Sequence, residues 1–156
     1  MNIKSNIKGL NEVLKKLKTT EEDIHNTIYD SMKKTMDIAK ATAKMNAPVG
    51  QTGYLRENIF SKVDKSDSKI TGQLYGNAEY NAYVEFGTGP KGRGTYPYKI
   101  KGYKLKYKGD KWKVKIPEIG VRWISGQKAQ PHLGKAYQDM QKNFIKILKD
   151  NTQKYK

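Results

Sequence analysis

The sequence contains no cysteine and no long run of apolar residues. Of its 156 residues, 36% are hydrophobic. Without cysteine the chain has no disulfide, no thiol nucleophile and no thiolate metal site. It lacks the roughly eighteen consecutive apolar residues of a membrane-spanning helix, and its first residues show no apolar segment followed by a cleavage site. We therefore expect neither a membrane segment nor a signal peptide, which is compatible with assembly in a bacterial cytoplasm.

Arginine is scarce in a chain whose formal net charge is +16. Only Arg56, Arg93 and Arg122 stand among its 31 basic residues, and the others are lysines. Base recognition and bidentate phosphate contacts favour the planar fork of arginine, which lysine lacks. The lysines are typical of a solvated surface in a protein from an A/T-rich genome, while attraction to DNA or to an acidic partner stays open as the alternative.

Candidate catalytic side chains are few. The two histidines, His25 and His132, have no carboxylate at ligand spacing, and no Ser/His/Asp arrangement has geometric support. A packing role is expected for His132. Glu85 is a single carboxylate without a partner, for which an ion pair or a contact with a helix end that fixes the following loop is the favoured role. We predict no catalytic residue, no metal ligand and no cofactor, so the protein is not expected to be an enzyme.

Residues 87–92, Gly-Thr-Gly-Pro-Lys-Gly, match the G-x-G-x-x-G pattern of dinucleotide-binding loops. That loop needs a helix opening at the glycines, because the N-terminus of the helix binds the pyrophosphate. The residues that follow, Arg93 to Pro97, cannot continue as such a helix. We therefore interpret the segment as a flexible loop.

Helical periodicity marks both ends of the chain. Apolar residues at helical spacing predict a short helix over residues 10–18, and an acidic run predicts the capped start of a second helix over residues 21–45. Pro48 ends that helix, because proline disfavours helical geometry at the residue before it. A C-terminal helix is predicted over residues 130–150, with Pro131 in its first turn.

Three strands are predicted between these helices, over residues 58–65, 69–75 and 78–86. The last of them runs into Gly87 and Gly89. Glycine permits backbone angles that other residues avoid, so the chain can leave the strand sharply at this point.

A hairpin is predicted on both sides of Gly109-Asp110, because lysines alternate there with apolar residues. A two-residue type II′ turn pairs Tyr107 with Trp112 and Leu105 with Val114. All apolar side chains then share one face and all lysines share the other. The apolar contact residues are Tyr103, Leu105, Tyr107, Trp112 and Val114, and the basic face consists of Lys104, Lys106, Lys108, Lys111, Lys113 and Lys115.

The basic face of this hairpin has two interpretations. Its lysines could follow nucleic-acid phosphates, or they could form the solvated side of an edge ribbon, where lysines discourage strand-to-strand aggregation. In the predicted register the aromatic side chains lie on the opposite face, so they cannot stack on bases while the lysines hold phosphates. That arrangement favours the structural interpretation or an acidic protein partner.

Three separated segments resemble a family of phage tail-completion or head–tail joining proteins. They are residues 46–56 (NAPVGQTGYLR), 78–89 (AEYNAYVEFGTG) and 123–133 (WISGQKAQPHL). In that family an amphipathic helix precedes a segment similar to APVxTGxLRxSI, a strand ends in YxxYVEFGT, and QPFLxPA opens a C-terminal helix. The three segments occur here in the same order, and the resemblance covers most of residues 10–148.

The resemblance implies a structural virion subunit of the phage neck or tail end, assembled in the host cytoplasm into a hexameric ring. Its partners would be other copies of itself and neighbouring neck or tail proteins. A lysine-rich nucleic-acid-binding protein associated with packaged DNA is the alternative. The candidate assembly residues that the resemblance gives are Tyr83, Glu85, Phe86, Gly87, Thr88, Gln130, Pro131 and Leu133.

Together these patterns predict an α+β fold in a single domain, residues 1–156. A long N-terminal helix and a C-terminal helix pack on one face of a small, mostly antiparallel sheet, and a lysine-rich β-hairpin projects from it. The expected parts are a helical region (10–45), the sheet (54–88), a loop and hairpin insertion (89–125) and the C-terminal helix (130–150).

Overall fold

The computed structural model describes residues 10–50, 52–100 and 102–153, and of residues 10–19 the backbone alone. In chain order the elements are α1 (Leu10–Asn46), α2 (Tyr54–Glu57), β1 (Ile59–Ser66), β2 (Lys69–Gly76), α3 (Asn81–Phe86), α4 (Gly89–Gly92), β3 (Trp112–Ile116), β4 (Gly120–Ile124) and α5 (His132–Thr152). The predicted α+β class is confirmed, because two long helices accompany two antiparallel pairs of strands, β1–β2 and β3–β4.

Helix α1 is continuous over 37 residues. The predicted break between residues 18 and 21 is therefore wrong. The sequence has no glycine or proline there, and extending an existing helix avoids the cost of a second nucleation. The apolar face predicted for residues 10–18 cannot be compared, because these side chains lie outside the part that the structure describes. The helix ends at Asn46, just before Pro48, as predicted.

Helices α1 and α5 pack side by side in opposite directions. Lys135 Nζ, near the start of α5, donates a hydrogen bond to Asn46 Oδ1 at the end of α1 (2.8 Å). Asn151 Nδ2, near the end of α5, donates to Ser31 Oγ (2.8 Å). Ser31 is fully buried, and its hydroxyl donates to the Thr27 carbonyl (2.7 Å), so this polar group keeps its partners between the helices. The predicted C-terminal helix is confirmed.

The β1–β2 sheet packs against α1. Its strands pair from Ile59 with Gly76 to Ser66 with Lys69, which confirms the first two predicted strands. Gly72 leaves room for α1, since a Cβ at this position would stand 2.7 Å from Met36 Sδ. The buried apolar core is small and consists of Ala43, Ala47, Leu55, Ile59, Ala78, Val84 and Ala136, with Leu74 and Leu133 packed against it.

The third predicted strand is wrong, because residues 81–86 form the short helix α3. The Asn81 amide donates to the Ala78 carbonyl (2.8 Å), so the chain already turns where the prediction extends it. In a strand, the neighbours Val84 and Glu85 would point to opposite faces. Both side chains are buried here (9% and 2% exposed), and a helix can direct both inward. Burial overrides the local preference for a strand.

The predicted pairing of the hairpin is also wrong. β3 pairs with β4, which follows it, and Trp112 lies opposite Ile124. Residues 103–108 lie outside any strand. The Tyr107 hydroxyl donates to the Phe86 carbonyl (2.9 Å), so this segment is held at the end of α3 and does not pair with β3.

The alternation predicted along β3 is confirmed. Lys113 and Lys115 are exposed, whereas Trp112, Val114 and Ile116 are half-buried. The structure therefore contains a lysine-rich hairpin, but only its strand β3 was predicted, and β3 pairs with β4 instead of residues 103–108.

Candidate functional site

The buried carboxylate of Glu85 binds the N-terminus of α5. Its Oε2 accepts hydrogen bonds from the His132 and Leu133 amides (both 2.9 Å), and its Oε1 accepts one from the Gly134 amide (2.8 Å). The first amides of a helix have no partner within the helix, and the positive end of the helix dipole attracts a carboxylate. The predicted contact of Glu85 with a helix end is confirmed.

His132 packs beside this carboxylate and is fully buried. Its Nε2 lies 2.9 Å from Asn81 Oδ1, and its Nδ1 lies 3.2 Å from both Glu85 Oε2 and the Gln130 carbonyl oxygen. Both ring nitrogens therefore face oxygen atoms of neighbouring residues. The expected packing role of His132 is confirmed, and its ring also links α5 to the first residue of α3.

Tyr96 covers the other carboxylate oxygen. Its hydroxyl donates to Glu85 Oε1 (3.3 Å), and its ring packs edge-on against Phe86 (4.9 Å between ring centroids) and Tyr98 (5.6 Å). Burial raises the pKa of the Tyr96 phenol, and the negative charge of Glu85 raises that pKa further. Tyr96 therefore stays protonated and donates its hydrogen to the carboxylate.

The loop after α3 docks on the segment that leads into α5. The Thr88 amide donates to the Gln127 carbonyl (2.9 Å), and the Gln127 amide donates back to the Thr88 carbonyl (3.2 Å). Gly87 has φ 76°, and a Cβ on it would stand 2.6 Å from the Ala129 nitrogen. Both the backbone conformation and the space therefore require glycine at this position.

The glycines of the G-x-G-x-x-G match also allow close packing between this loop and other parts of the chain. Helix α4 begins at Gly89 and already ends at Gly92. A Cβ on Gly89 would stand 2.6 Å from the Trp112 ring, and one on Gly92 would stand 2.7 Å from the Gly87 carbonyl carbon. The glycines let separate parts of the chain approach closely. The segment is thus a packed joint, where the sequence predicts a flexible loop.

The structure brings together the two groups of predicted assembly residues, 83–88 and 130–133. Glu85 and Gly87 are buried in the junction between α3 and α5, whereas Tyr83 (62% exposed) and Gln130 face solvent. The half-buried members of the set are Phe86, Thr88, Pro131 and Leu133. We name this arrangement the Glu85 junction and define it by Asn81, Glu85, Tyr96 and His132.

The predicted hairpin residues differ in exposure. Tyr103 is 70% exposed, and the other four apolar residues of the prediction are half-buried. The lysines of the predicted basic face are all exposed: Lys104, Lys106, Lys108, Lys111, Lys113 and Lys115.

The outer face of the β3–β4 hairpin carries basic and aromatic side chains together. Side chains of cross-strand partners share a face, so Lys113 lies beside Trp123 and Lys115 beside Val121. Lys113 Nζ is 5.1 Å from the centroid of the Trp123 ring. Trp123 is 64% exposed and Val121 is 57% exposed. The register predicted from the sequence separates aromatic from basic side chains, and the observed register does not.

A groove of about 740 Å³ lies between β2, α5 and residues 96–100. Its aromatic lining comes from four separate parts of the chain and includes Tyr75, Phe86, Tyr98 and Tyr137. Because these residues are distant in sequence, no local pattern predicts the groove.

The described residues contain neither a candidate membrane-spanning helix nor a candidate metal cluster. None of the helices there combines the length and the apolar character that a bilayer-spanning helix requires. The same part of the chain contains no group of three or more His, Asp or Glu side chains that could hold a metal ion.

This small α+β chain exposes large apolar side chains such as Tyr83 and Trp123, and exposed apolar surface is typical of proteins that assemble with others. Residues 11–87 match the family model described as "Bacteriophage HK97-gp10, putative tail-component". The match confirms the predicted resemblance to structural components of phage tails. No curated protein and no solved structure matches the chain.

Proposed function

We propose that the protein completes the tail or joins head to tail at the phage neck, as an oligomeric ring. The family match over residues 11–87 supports the role in the tail. Six copies is the number that the resemblance implies. The proposed partners are further copies of this chain and the neck or tail proteins on either side, within a virion assembled in the host cytoplasm.

The observation that carries the assembly role is a cluster of exposed tyrosines near the Glu85 junction. The rings of Tyr54 and Tyr80 lie 6.3 Å apart, with 49% and 42% of these residues exposed. Tyr83 follows one helical turn later and is 62% exposed. Tyrosine supplies a large contact area with few rotatable bonds, and neighbouring exposed aromatic side chains are typical of interaction surfaces.

The Glu85 junction supports this surface from within. Glu85 anchors α3 to α5, and α3 carries Tyr83. The Gln127 side chain donates to the Tyr83 carbonyl (3.0 Å), so the backbone of the exposed tyrosine is fixed by the segment that leads into α5. We propose that the buried residues position the contact surface and that Tyr83 and Gln130 take part in it.

The oligomeric state of the purified full chain tests the proposal. Sedimentation velocity and electron microscopy should show a ring with several times the 17.8 kDa mass of one chain. Replacing Tyr80 and Tyr83 by serine should weaken the ring without unfolding the subunit. The matched control is Ile145→Ser on α5, since Ile145 is also exposed (56%). A chain that stays monomeric alone and with its neighbouring tail proteins would contradict the proposal.

A further inference from the structure

Two surfaces of the chain have opposite charge, and each includes at least one exposed apolar side chain. The first is the outer face of the β3–β4 hairpin, formed by Lys113, Lys115, Val121 and Trp123. The hairpin belongs to a strongly basic part of the sequence, since residues 99–124 contain eight lysines and one arginine against two acidic residues. We call this surface the cationic hairpin face.

The second surface lies on the part of α1 before the region that α5 covers. Residues 19–32 contain four carboxylates and neither lysine nor arginine, in a chain of net charge +16. Glu21 and Glu22 are exposed, and Ile24 beside them is 47% exposed. Lys65 borders the same surface, but its Nζ donates to Asn26 Oδ1 (2.6 Å). We call Glu21, Glu22 and Ile24 the acidic α1 face.

Within the part of the chain that the structure describes, neither surface is fully covered. Trp123 remains 64% exposed on the hairpin and Ile24 remains 47% exposed on α1. The inner face of the hairpin is already used, because the Trp112 ring packs on Gly89. The described residues leave the cationic hairpin face accessible to another molecule, and the chain itself provides a surface of opposite charge with an exposed apolar side chain.

We propose that the cationic hairpin face of one copy docks on the acidic α1 face of the next copy. Lys113 and Lys115 would pair with Glu21 and Glu22, around a centre formed by Trp123 and Ile24. Such a contact joins two different surfaces, and repeated head-to-tail contacts of this kind close into a ring when the rotation between copies allows it. The inference rests on the ring proposed above and identifies one interface within it.

A nucleic acid is the other polyanion that could meet the hairpin. The face contains no arginine, which is the residue preferred for bidentate phosphate contacts. A nucleic acid on the hairpin would not account for the exposure of Ile24, Glu21 and Glu22 on α1. A second copy satisfies both surfaces at once, so the chain itself is the occupant that the observations favour.

A charge exchange tests the interface. One variant carries Lys113→Glu with Lys115→Glu, a second carries Glu21→Lys with Glu22→Lys, and a third combines all four changes. All four side chains are exposed, so circular dichroism should show unchanged folding. Each double variant should associate about tenfold more weakly than the parent, and the combined variant should recover most of the loss. Sedimentation velocity at about 0.05 M NaCl, where screening is weak, measures the association.

Lys142→Glu with Lys146→Glu on α5 is the matched control, because it changes the net charge equally at exposed positions. Its association should stay close to that of the parent. The proposed interface is wrong if the double variants assemble as well as the parent, or if the combined variant does not regain the association of the parent. Either result leaves the proposal of a ring intact. If Lys113→Glu with Lys115→Glu instead removes binding to a labelled DNA duplex and leaves the ring intact, the face binds nucleic acid. A parent chain that never assembles overturns the ring and this interface together.

Discussion

Glu85 carries its charge into the interior of the subunit, where three backbone amides and one phenol surround its two oxygens. Hydrogen bonds to an ionised acceptor are stronger than those between neutral groups, and a buried charge needs them to offset its lost hydration. A single side chain of α3 thereby fixes where the last helix begins. The stability of the junction should depend on the charge of this residue as well as on its shape.

Replacing Glu85 by glutamine should lower the free energy of unfolding by about 2 kcal/mol. Glutamine keeps the size of the side chain but removes the charge, and its amide group turns a donor toward the backbone amides of α5. Urea unfolding followed by circular dichroism measures the change. Glu79→Gln is the control, since Glu79 is exposed and should change stability by no more than about 0.5 kcal/mol. Equal losses for the two variants would argue against the capping role.

Tyr96 should make the subunit less stable at alkaline pH. Burial and the charge of Glu85 raise the pKa of its phenol in the folded chain, whereas an unfolded chain has a tyrosine pKa of about 10. The stabilisation is fully present below the unfolded-state pKa. Above about pH 10 the unfolded chain loses this proton first, so the free energy of unfolding falls as pH rises.

Tyr96→Phe removes the titrating group and should flatten this part of the pH dependence. Unfolding curves of parent and variant from about pH 9 to about pH 11 measure the difference in slope. Tyr103→Phe is the control at a tyrosine that is 70% exposed. An unchanged slope for Tyr96→Phe would show that other groups cause the alkaline loss.

Among the elements, α5, β1, β2 and the end of α1 could be predicted from the sequence. Their apolar spacing and the position of Pro48 are local signals. Helix α3 could not be predicted from the sequence. Its Glu85 side chain points inward because it binds amides that lie 47 to 49 positions later in the chain. The sequence predicts that Glu85 contacts a helix end, because no partner for a lone carboxylate is visible nearby. It does not predict which helix supplies the amides.

The hairpin shows a different limit of sequence reasoning. β3 lies between two segments that could each pair with it, one before Gly109-Asp110 and one after Gly120. The shorter turn favours the first segment. In the structure β3 pairs with the second segment. Tyr107 of the first segment instead donates to the Phe86 carbonyl, and Trp112 packs on Gly89. Such long-range contacts leave no trace in the alternation of lysines and apolar residues.

The joint between α4 and the hairpin should be sensitive to one added methyl group. Gly89 and Gly94 both have positive φ (60° and 72°), so alanine at either position should cost about 1–2 kcal/mol in backbone strain. Only at Gly89 would the Cβ meet the Trp112 ring, at 2.6 Å. Gly89→Ala should therefore lower the free energy of unfolding by about 1–3 kcal/mol more than Gly94→Ala does. Urea unfolding of the two variants compares them, and similar losses would exclude tight packing at Gly89.

At the scale of the whole molecule, the net charge of +16 is spread over a chain of 156 residues. Two effects of salt should then oppose each other. Salt screens the repulsion between lysines within one subunit, which stabilises the compact state. It also screens the attraction between the cationic hairpin face and the acidic α1 face, which weakens assembly.

Raising NaCl from about 0.02 M to about 0.2 M should raise the melting temperature of the subunit while it lowers the fraction in rings. Circular dichroism at low protein concentration measures the first quantity, and sedimentation velocity measures the second. The Lys142→Glu with Lys146→Glu variant carries less net charge, so its melting temperature should respond less to salt. A melting temperature that falls with salt would show that attractive pairs dominate within the subunit.

The antiparallel contact between α1 and α5 has a consequence for synthesis on the ribosome. Ser31 and Asn46 belong to α1, whereas their partners Asn151 and Lys135 belong to α5, which is made later. At about 5–20 residues per second, α1 waits on the order of ten seconds for α5. During this interval the side of α1 that faces α5 has no cover from its own chain. The nascent chain should therefore be most prone to aggregation, and most in need of chaperones, until α5 has been made.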